Sequence, residues 1–522
     1  MTTPVRSIIA AGHDATARAA ATAMAAGGNA FDGAVAALCA ACVAEPVLAS
    51  LGGGGFLNAR PAGAEPRVYD FFAQTPRRRR PEAELDFFPI QVDFGDATQE
   101  FHVGLGAIAT PGVVAGLFAA QRELCRLPIR DLIEPARVLA ADGLVINAFQ
   151  HRIARIVFPI LHARDSVFAL YASAEDPARL PAAGERHRQP ELAAALLDLA
   201  DGGPELFYRG AWAERLAADC ATGGGHLTRD DLAAYTVVRR RPARTRYHGA
   251  ELYLNPPPST GGLLMTLTLT LLEGRDLGAA GFGSAEHRHV LANAMRLTQE
   301  ARNGIDPDAL AAAAVDPGLV ARLRALMSRE PRFDRGTTQI SIADADGNLA
   351  SLTLSNGEGA AYVLPGTGIV LNNMLGEEDL YPRGFHRWPE DRRISSMMCP
   401  TLAHGTDGSW TVTGSSGSNR IRSAILQVLS NLIDLHMPLD EAVAAPRIHY
   451  ESGLLNIEPP AGADVLNDLG RHWPRILPWT EKSVFFGGAH SVAIDADGKL
   501  HGGADPRRGG VVHRVPADGT ER

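Results

Sequence analysis

A threonine directly follows a glycine at Gly336–Thr337, where a charged segment of helical character (317–331) gives way to a strand pattern. If the bond between them were cut, Thr337 would carry a free α-amino group beside its own hydroxyl. An unperturbed α-amine has a pKa of about 8, so near neutral pH it can accept the proton of that hydroxyl. An N-terminal threonine is therefore a nucleophile that carries its own base. From this segment alone, however, ordinary strand threonines are the favoured interpretation of Thr337 and Thr338.

Two alternating runs of β-branched and apolar residues surround Asp346-Gly347 in TTQISIADADGNLASLTLS. This pattern predicts a hairpin whose first strand begins at Thr337. One long helix is predicted at 420–436. Further strands are predicted at 362–373, 409–413, 453–457, 484–494 and 499–501.

The first two-thirds of the chain is rich in helical patterns. Residues 14–44 have helical periodicity that is broken at Gly27-Gly28-Asn29, a signal for a helix end. Residues 113–218 are predicted to be mainly helical, and the rigid turn NPPPSTGG (255–262) precedes an apolar helix that reaches Leu272. A helix-rich part followed by a strand-rich part predicts stacked sheets that share strands from both, with helices outside.

Four successive glycines lie in LGGGGFLNAR (51–60), before a short predicted strand. Glycines allow one backbone segment to approach another more closely than any side chain permits. A phosphate-binding loop is disfavoured, because no GK[ST] follows and no GxGxxG pattern opens a helix.

The composition and charge of the chain argue against several classes of protein. The 522 residues are 46% hydrophobic and 21% charged, which predicts a globular protein with a large core. A net charge of −9 argues against a general nucleic-acid binder. The early residues lack a secretory leader, and the apolar stretch 32–50 is too interrupted to span a membrane, so a cytoplasmic location is expected.

Other chemistry-bearing residues favour structural interpretations. Cys39 and Cys42 are expected to be buried small hydrophobes rather than a redox pair. The run Arg77–Arg80 is typical of a solvated loop. No metal site is predicted, since His287 and His289 lack HExxH or CxxC companions, and threonine chemistry needs no cofactor.

Nine short blocks occur in one order along almost the whole chain: GGNAFDGAVA (27–36), LGGGGFLNAR (51–60), ATPGVVAGL (109–117), NPPPSTGG (255–262), TTQISIADADGNLASLT (337–353), GTGIVLNNM (366–374), SSMMCPTL (395–402), GSSGSNRI (414–421) and GADPR (503–507). In these blocks the sequence resembles the γ-glutamyltranspeptidase family of N-terminal nucleophile hydrolases. Nine collinear blocks outweigh the ordinary-strand interpretation of Thr337.

The resemblance implies an α+β fold, a four-layer αββα sandwich made as one inactive precursor. Autocatalytic cleavage between Gly336 and Thr337 would give a large fragment, 1–336, and a small one, 337–522, which stay folded together as one interleaved domain. Thr337 would then cleave a small amide or peptide, such as the γ-glutamyl amide of glutathione. The acyl group would pass to water or to an amine.

The family's supporting residues are carried over one by one. Its second hydroxyl beside the nucleophile falls on Ser355, and the backbone N–H groups of its oxyanion hole fall on Gly417 and Ser418. The serines that bind the glutamyl α-carboxylate match Ser395 and Ser396. The acid that pairs with the α-amino group falls on Glu377, with Glu378 one register away.

Three positions depart from the family pattern. The carboxylate-binding arginine is replaced by Phe72, and a ring cannot replace a bidentate guanidinium. A substrate-contacting glutamine is replaced by Met374, and the family asparagine falls on Gly357, with Asn356 one place off. Either another cation contacts the substrate carboxylate, with Arg77–Arg80 as one hypothesis, or the natural acyl group differs from γ-glutamyl.

Three functions therefore remain open. The first is a γ-glutamyltransferase or glutathione hydrolase with a rebuilt carboxylate site. The second keeps the threonine chemistry on another acyl group, as in acylases, amidohydrolases or natural-product hydrolases, including C–C cleavage. The third is an unprocessed, non-catalytic relative, against which the retained Thr337 and the glycine-rich turn argue.

Overall fold

The computed structural model describes residues 5–93, 98–304, 336–381 and 384–517. The strands are β1 (Val5–Ala11), β2 (Gly54–Arg60), β3 (Arg67–Phe71), β4 (Phe88–Asp93), β5 (Thr98–Val103), β6 (Leu144–Val145), β7 (Arg186–His187), β8 (Val238–Arg240), β9 (Ala243–Tyr247), β10 (Ala250–Leu254), β11 (Thr338–Asp344), β12 (Leu349–Ser355), β13 (Val363–Leu364), β14 (Ile369–Val370), β15 (Thr401–His404), β16 (Trp410–Thr413), β17 (Ser415–Ser416), β18 (Ile448–Glu451), β19 (Leu454–Ile457), β20 (Ile476–Pro478), β21 (Gly488–Ile494), β22 (Leu500–Ala504) and β23 (Val511–Pro516).

The helices in these residues are α1 (Asp14–Ala25), α2 (Ala30–Ala44), α3 (Val113–Leu124), α4 (Ile129–Asp142), α5 (Ala148–Ile156), α6 (Phe158–Leu161), α7 (Asp165–Tyr171), α8 (Pro190–Gly202), α9 (Glu205–Tyr208), α10 (Ala211–Gly223), α11 (Arg229–Ala234), α12 (Thr260–Leu272), α13 (Leu277–Ala280), α14 (Ala285–Gly304), α15 (Arg420–Ile433), α16 (Leu439–Ala444) and α17 (Ala463–Gly470). The predicted charged helical segment 317–331 lies outside the described residues.

Two antiparallel sheets form the centre of the molecule. The first has the strand order β23-β1-β11-β12-β2-β3-β8. The second has the order β17-β21-β16-β15-β10-β9, with β22 also paired to β21. Each sheet takes strands from before and after Gly336, so the two parts of the chain interleave.

Helices cover the outer face of each sheet. The helices α1 and α2 pack on β1, β11 and β12, whereas α12, α15 and α16 pack on strands of the second sheet. The predicted four-layer αββα sandwich is thereby confirmed. The first helical layer is alanine-rich, and every residue of α2 is buried.

Hydroxyl groups join the two sheets where they face each other. Ser341 of β11 donates through Oγ to the carbonyl of His490 at 2.7 Å, and Ser351 of β12 donates to the carbonyl of Thr413 at 2.8 Å. These bonds satisfy buried polar groups, as a dry interior requires. They also fix the position of β11 relative to the second sheet.

The predicted hairpin at Asp346-Gly347 is confirmed, since β11 pairs antiparallel with β12 and Gly347 has φ +91°. The first strand begins at Thr338, one residue later than predicted. The ladder of this hairpin starts with the pair Thr338–Leu354, which leaves Thr337 just before the strand.

Several boundaries differ from the sequence expectations. The predicted strand at 362–373 is the short pair β13 and β14, because Gly366 and Gly368 turn the chain with φ of +75° and +64°. The helix predicted at 420–436 ends at Ile433. The central strand β1, between β23 and β11, has no counterpart in the predicted strands, because its seven residues VRSIIAA show no clear alternation of polar and apolar side chains.

The break predicted at Gly27-Gly28-Asn29 separates α1 from α2. Gly27 has φ +103°, and Asn29 caps α2 in a reciprocal pair of hydrogen bonds with Asp32. Cys39 and Cys42 are buried in α2, as predicted, and burial raises the pKa of the Cys39 thiol to about 12. Within the described ranges, no helix has both the length and the apolar character that a membrane crossing needs.

The glycine run brings three chain segments together, as predicted. A Cβ on Gly52 would lie 2.5 Å from the Val370 carbonyl oxygen, and one on Gly53 would lie 2.5 Å from that of Ser355. Real Cβ atoms do not approach so closely. Glycine at these positions therefore allows the end of β12 to lie against the entry to β2.

Candidate active site

Thr337 lies at the entrance to β11, beside the end of β12, and only 4% of its surface is exposed. The chain is continuous through Gly336 and Thr337, so the structure describes the uncleaved form. Ser355, the last residue of β12, donates through Oγ to the carbonyl oxygen of Gly336 at 2.8 Å. The N–H of Gly357 donates to the same Oγ at 3.1 Å, which leaves the hydroxyl proton directed at the carbonyl. A donor at this position polarises the carbonyl and stabilises the negative charge that nucleophilic attack creates.

The neighbour of the nucleophile is anchored by a buried acid. Thr338 donates through Oγ1 to Glu45 Oε2 at 2.7 Å, and Thr16 donates to Glu45 Oε1 at 2.9 Å. Glu45 is buried, so both bonds are strong charge-assisted contacts. Sequence reasoning treated Glu45 only as an interruption of an apolar stretch. The signal available was an acidic residue at the end of an otherwise apolar helix.

A second buried acid contacts the residue before Thr337. The N–H of Gly336 donates to Glu358 Oε1 at 2.6 Å. Glu358 follows the end of β12 and is 5% exposed, and its own N–H donates to Asn373 Oδ1 at 2.9 Å. Sequence reasoning also missed Glu358, because nothing in the local pattern shows which chain segment it faces.

Glu377 occupies the space beside Gly357. Gly357 has φ +62°, and a Cβ there would collide with Asn373 Oδ1 and Glu377 Oε1. The room that an asparagine side chain would need is thus filled by two other polar side chains. Glu377 is buried and Glu378 is exposed, so Glu377 is the acid that faces inward. Burial, followed by the charge of Glu377, raises the pKa of the Tyr381 phenol well above its usual value.

Asn356 immediately precedes Gly357. Its side chain is buried, and its Nδ2 lies 3.5 Å from the point that a Cβ of Gly359 would occupy. A role for Asn356 in substrate binding stays a prediction.

Gly417 and Ser418 form the turn between β17 and α15. Both have left-handed backbone, with φ of +106° and +50°. Gly414, just before them, packs against the side chain of Gln339 in β11, which brings the turn close to the start of that strand. The N-terminus of a helix such as α15 favours negative charge. The use of these two N–H groups as oxyanion donors stays a prediction.

Ser395 and Ser396 lie against the N-terminus of α12. The carbonyl of Ser396 accepts hydrogen bonds from the N–H groups of Thr260 at 3.0 Å and Gly261 at 3.1 Å. Ser395 is half-buried, with Oγ 3.4 Å from Thr260 Oγ1. The preceding N–H, of Ile394, donates to the Ala73 carbonyl at 3.0 Å, so the serine pair lies next to Phe72 and Ala73.

Phe72 and Met374 belong to one apolar cluster. The Phe72 ring stacks on Phe56 with ring centroids 5.4 Å apart, and both Phe72 and Met374 are at most 2% exposed. Ile394 and Met398 complete the same cluster around them. Both positions where the resembled family carries polar side chains therefore carry buried apolar side chains of the same hydrophobic cluster.

Three arginines of the run Arg77–Arg80 contact other polar groups. Arg79 donates through Nη1 to the His386 carbonyl at 2.8 Å, and Arg77 lies 3.7 Å from Asp391. Arg80 pairs with Glu84 at 3.0 Å. The contacts of these three arginines do not involve Phe72, and the hypothesis that the run replaces the missing cation stays untested.

Arg393 is a cation in direct contact with the backbone of Phe72. It donates through Nη1 to the carbonyl of Phe72 and to the hydroxyl of Tyr235, and its Nε lies 3.5 Å from Asp70 Oδ1. Its Nη2 donates to the Thr236 carbonyl at 2.6 Å. The guanidinium thus ties Phe72 to the surrounding backbone.

A four-layer αββα sandwich with a buried threonine at the start of a central strand defines the fold of an N-terminal nucleophile hydrolase. A cephalosporin acylase from Bacillus halodurans has this fold, with a TM-score of 0.83 at 23% identity over 98% of this chain and 96% of that one. The model of the family described as gamma-glutamyltranspeptidase matches residues 16–515. The chain belongs to the γ-glutamyltranspeptidase family, and it is an enzyme.

Two relatives of similar identity to this chain have different names. The glutathione hydrolase proenzyme of Escherichia coli K12 is 31% identical, over 92% of this chain and 87% of that protein. The acylase ACY 1 proenzyme of Pseudomonas sp. strain SE83 is 32% identical, over 97% of this chain and 93% of that protein. Both names describe precursors, one of a glutathione hydrolase and the other of an acylase.

Proposed function

We propose that the protein is a self-processing threonine hydrolase and acyltransferase that acts on γ-glutamyl amides such as glutathione. The observation that supports this most directly is the 2.8 Å hydrogen bond from Ser355 to the carbonyl of Gly336, directly before a buried threonine. A carbonyl that is already polarised beside a hydroxyl nucleophile is arranged for cleavage of the chain itself.

Self-cleavage has two steps, a shift of the acyl group from nitrogen to oxygen and hydrolysis of the resulting ester. Thr337 Oγ1 attacks the carbonyl carbon of Gly336, and the oxygen that becomes negative accepts the hydrogen bond from Ser355. The C–N bond then breaks, the nitrogen of Thr337 takes the proton that the hydroxyl gave up, and an ester joins Gly336 to Thr337 Oγ1. Water hydrolyses the ester, which leaves a carboxylate on Gly336 and a free amine and hydroxyl on Thr337.

Turnover then uses the freed amine as the base. It accepts the hydroxyl proton while Oγ1 attacks the amide carbonyl of the substrate, and the N–H groups of Gly417 and Ser418 stabilise the oxyanion. The proton passes to the departing amine, which leaves an acyl ester on Thr337. Attack by water or by a second amine releases the acid or the new amide.

Recognition of the glutamyl group is assigned to two regions. Glu377, buried beside Gly357, pairs with the α-ammonium group, and Ser395 and Ser396 donate to the α-carboxylate. Glu377 lies beside Gly357, and the residue before the serine pair donates a hydrogen bond to Ala73, which lies against Gly54 at the entry to β2.

The apolar side chains of Phe72 and Met374 favour a second candidate, an acyl group without a free α-carboxylate. A carboxylate left against apolar side chains and without a cation would lose several kcal/mol of hydration. An amide whose acyl group carries an amine but no carboxylate avoids that cost. The near-equal identity to an acylase precursor is compatible with this candidate.

Three anilides separate the candidates, because each places its polar groups at the same distance from the scissile carbonyl. γ-Glutamyl anilide has both the α-amine and the α-carboxylate, glutaryl anilide keeps only the carboxylate, and 4-aminobutanoyl anilide keeps only the amine. The proposal predicts the highest kcat/KM for γ-glutamyl anilide. Faster turnover of 4-aminobutanoyl anilide would favour the second candidate, and faster turnover of glutaryl anilide would contradict the role of Glu377.

A further inference from the structure

Glu358 is a buried carboxylate that touches the residue to be cleaved but has no part in the turnover steps above. Its Oε1 accepts the N–H of Gly336 at 2.6 Å. Its Oε2 lies 2.9 Å from the point that a Cβ of Gly336 would occupy, beside the Gly357 carbonyl oxygen at 2.8 Å. The carboxylate therefore lies along the nitrogen and α-carbon of Gly336.

We propose that Glu358 is a positioning residue for self-cleavage, which holds the Gly336–Thr337 bond in the orientation that Thr337 attacks. This inference rests on the proposed cleavage before Thr337. Ser355 holds the carbonyl oxygen of Gly336 at 2.8 Å, and Glu358 holds the N–H of the same residue. The two contacts lie on either side of the carbonyl carbon.

Two anchors are needed because the residue between them is glycine. Glycine has no side chain to restrict its backbone, so one hydrogen bond to the oxygen leaves rotation about the Cα–C bond open. A second bond at the nitrogen fixes that rotation and with it the face that the carbonyl presents. An ionised acceptor makes this bond stronger than a neutral one would.

The backbone around Glu358 supports a fixed rather than a mobile carboxylate. The N–H of Glu358 donates to Asn373 Oδ1 at 2.9 Å, and the N–H of Gly359 closes the turn by donating to the Asn356 carbonyl at 3.2 Å. The same turn supplies the N–H of Gly357 that orients Ser355. One turn after β12 thus directs both groups that hold Gly336.

The hydrogen bond between Gly336 and Glu358 acts only in the uncleaved precursor. Cleavage leaves Gly336 as the end of the large fragment, so the bond between its N–H and Glu358 is needed only before the chain is cut. Glu377 lies on the other side of Gly357 and faces that residue rather than Gly336. The two buried acids of this region therefore have separate tasks, one in processing and one in substrate binding.

The test measures the half-time of cleavage in a cell-free translation reaction, sampled on denaturing gels. Glu358→Ala should slow cleavage roughly 10- to 100-fold, because a buried N–H loses its acceptor. Glu358→Gln keeps an oxygen acceptor without the charge and should slow cleavage only about fivefold. The matched control is Glu378→Gln, an exposed acid in a neighbouring loop, which should cleave at the wild-type rate.

Partial rescue by glutamine, with thermal unfolding temperatures close to wild type, supports a positioning role. Cleavage of Glu358→Ala at the wild-type rate would overturn it, as would a glutamine variant that is as slow as the alanine variant. If the alanine variant does not fold, a folded Glu358→Gln variant that cleaves roughly 100-fold more slowly than wild type would overturn the role, because glutamine keeps the acceptor. Wild-type protein that is never cut before Thr337 would instead refute the proposed function.

Discussion

Ser355 Oγ lies 2.8 Å from the carbonyl oxygen of Gly336 and is oriented by the N–H of Gly357. In the uncleaved chain, the group that the nucleophile must attack is thus already held by a hydroxyl donor. The contact joins the end of one strand of a hairpin to the entrance of the other. Its consequences for processing can be measured directly.

Ser355→Ala should slow self-cleavage about 10²- to 10³-fold, the usual effect of removing one oxyanion donor. Ser355→Thr keeps the hydroxyl and should cleave within a few-fold of wild type. Both rates are read from the conversion of the full-length band into two fragments. Equal rates for the alanine and threonine variants would show that the hydroxyl has no role.

Gly336→Ala should also slow cleavage, for a steric reason. The added Cβ would lie 2.8 Å from the Gly357 carbonyl oxygen, 2.9 Å from Glu358 Oε2 and 3.1 Å from the Val47 carbonyl oxygen. The scissile residue would have to shift away from its two hydrogen-bond partners. The same gel assay should show a delay of roughly tenfold or more, in line with the cost of crowding a packed site. Unchanged cleavage kinetics would mean that Gly336 does not occupy this crowded position when the bond after it is cut.

Thr338→Val should destabilise the protein without changing its shape. Valine is isosteric, but it leaves Glu45 Oε2 without the Thr338 donor at 2.7 Å in a buried site. The expected loss is about 1–3 kcal/mol in the free energy of unfolding, measured with urea. Ser7 in β1, also fully buried, offers a control in the same sheet: Ser7→Ala should cost less. A loss at Thr338 no larger than that at Ser7 would contradict the anchoring role of Glu45.

Phe72→Arg should raise the ratio of γ-glutamyl to 4-aminobutanoyl anilide turnover, by roughly tenfold, because a guanidinium would meet the α-carboxylate. It should also lower the unfolding temperature, since Phe72 is 2% exposed and stacks on Phe56. Phe72→Leu controls for the loss of the ring. A folded arginine variant with an unchanged ratio would place the carboxylate elsewhere.

The sequence predicts the parts of the site that depend on local pattern. The hairpin around Gly347, the helix break at Asn29 and the close approach of the glycine run all follow from periodicity and turn chemistry, and the structure confirms them. The strand β1 escaped prediction because a short run with no clear alternation does not distinguish a strand from other buried segments.

Contacts between distant segments could not be read from the sequence. Glu45 meets Thr338, and Glu358 meets Gly336, only because the two sheets bring these segments together. The sequence shows that Phe72 and Met374 are both apolar, but only packing shows that they share one cluster. The register of Glu377 against Glu378 was likewise decided by which side chain is buried.

The most direct test of the account is N-terminal sequencing of the small fragment from active protein. The account predicts the sequence Thr-Thr-Gln-Ile-Ser, which begins at Thr337, and predicts that Thr337→Ala stays as one inactive full-length chain. Active protein whose small fragment begins at another residue, or a Thr337→Ala variant that is cut normally, would contradict it.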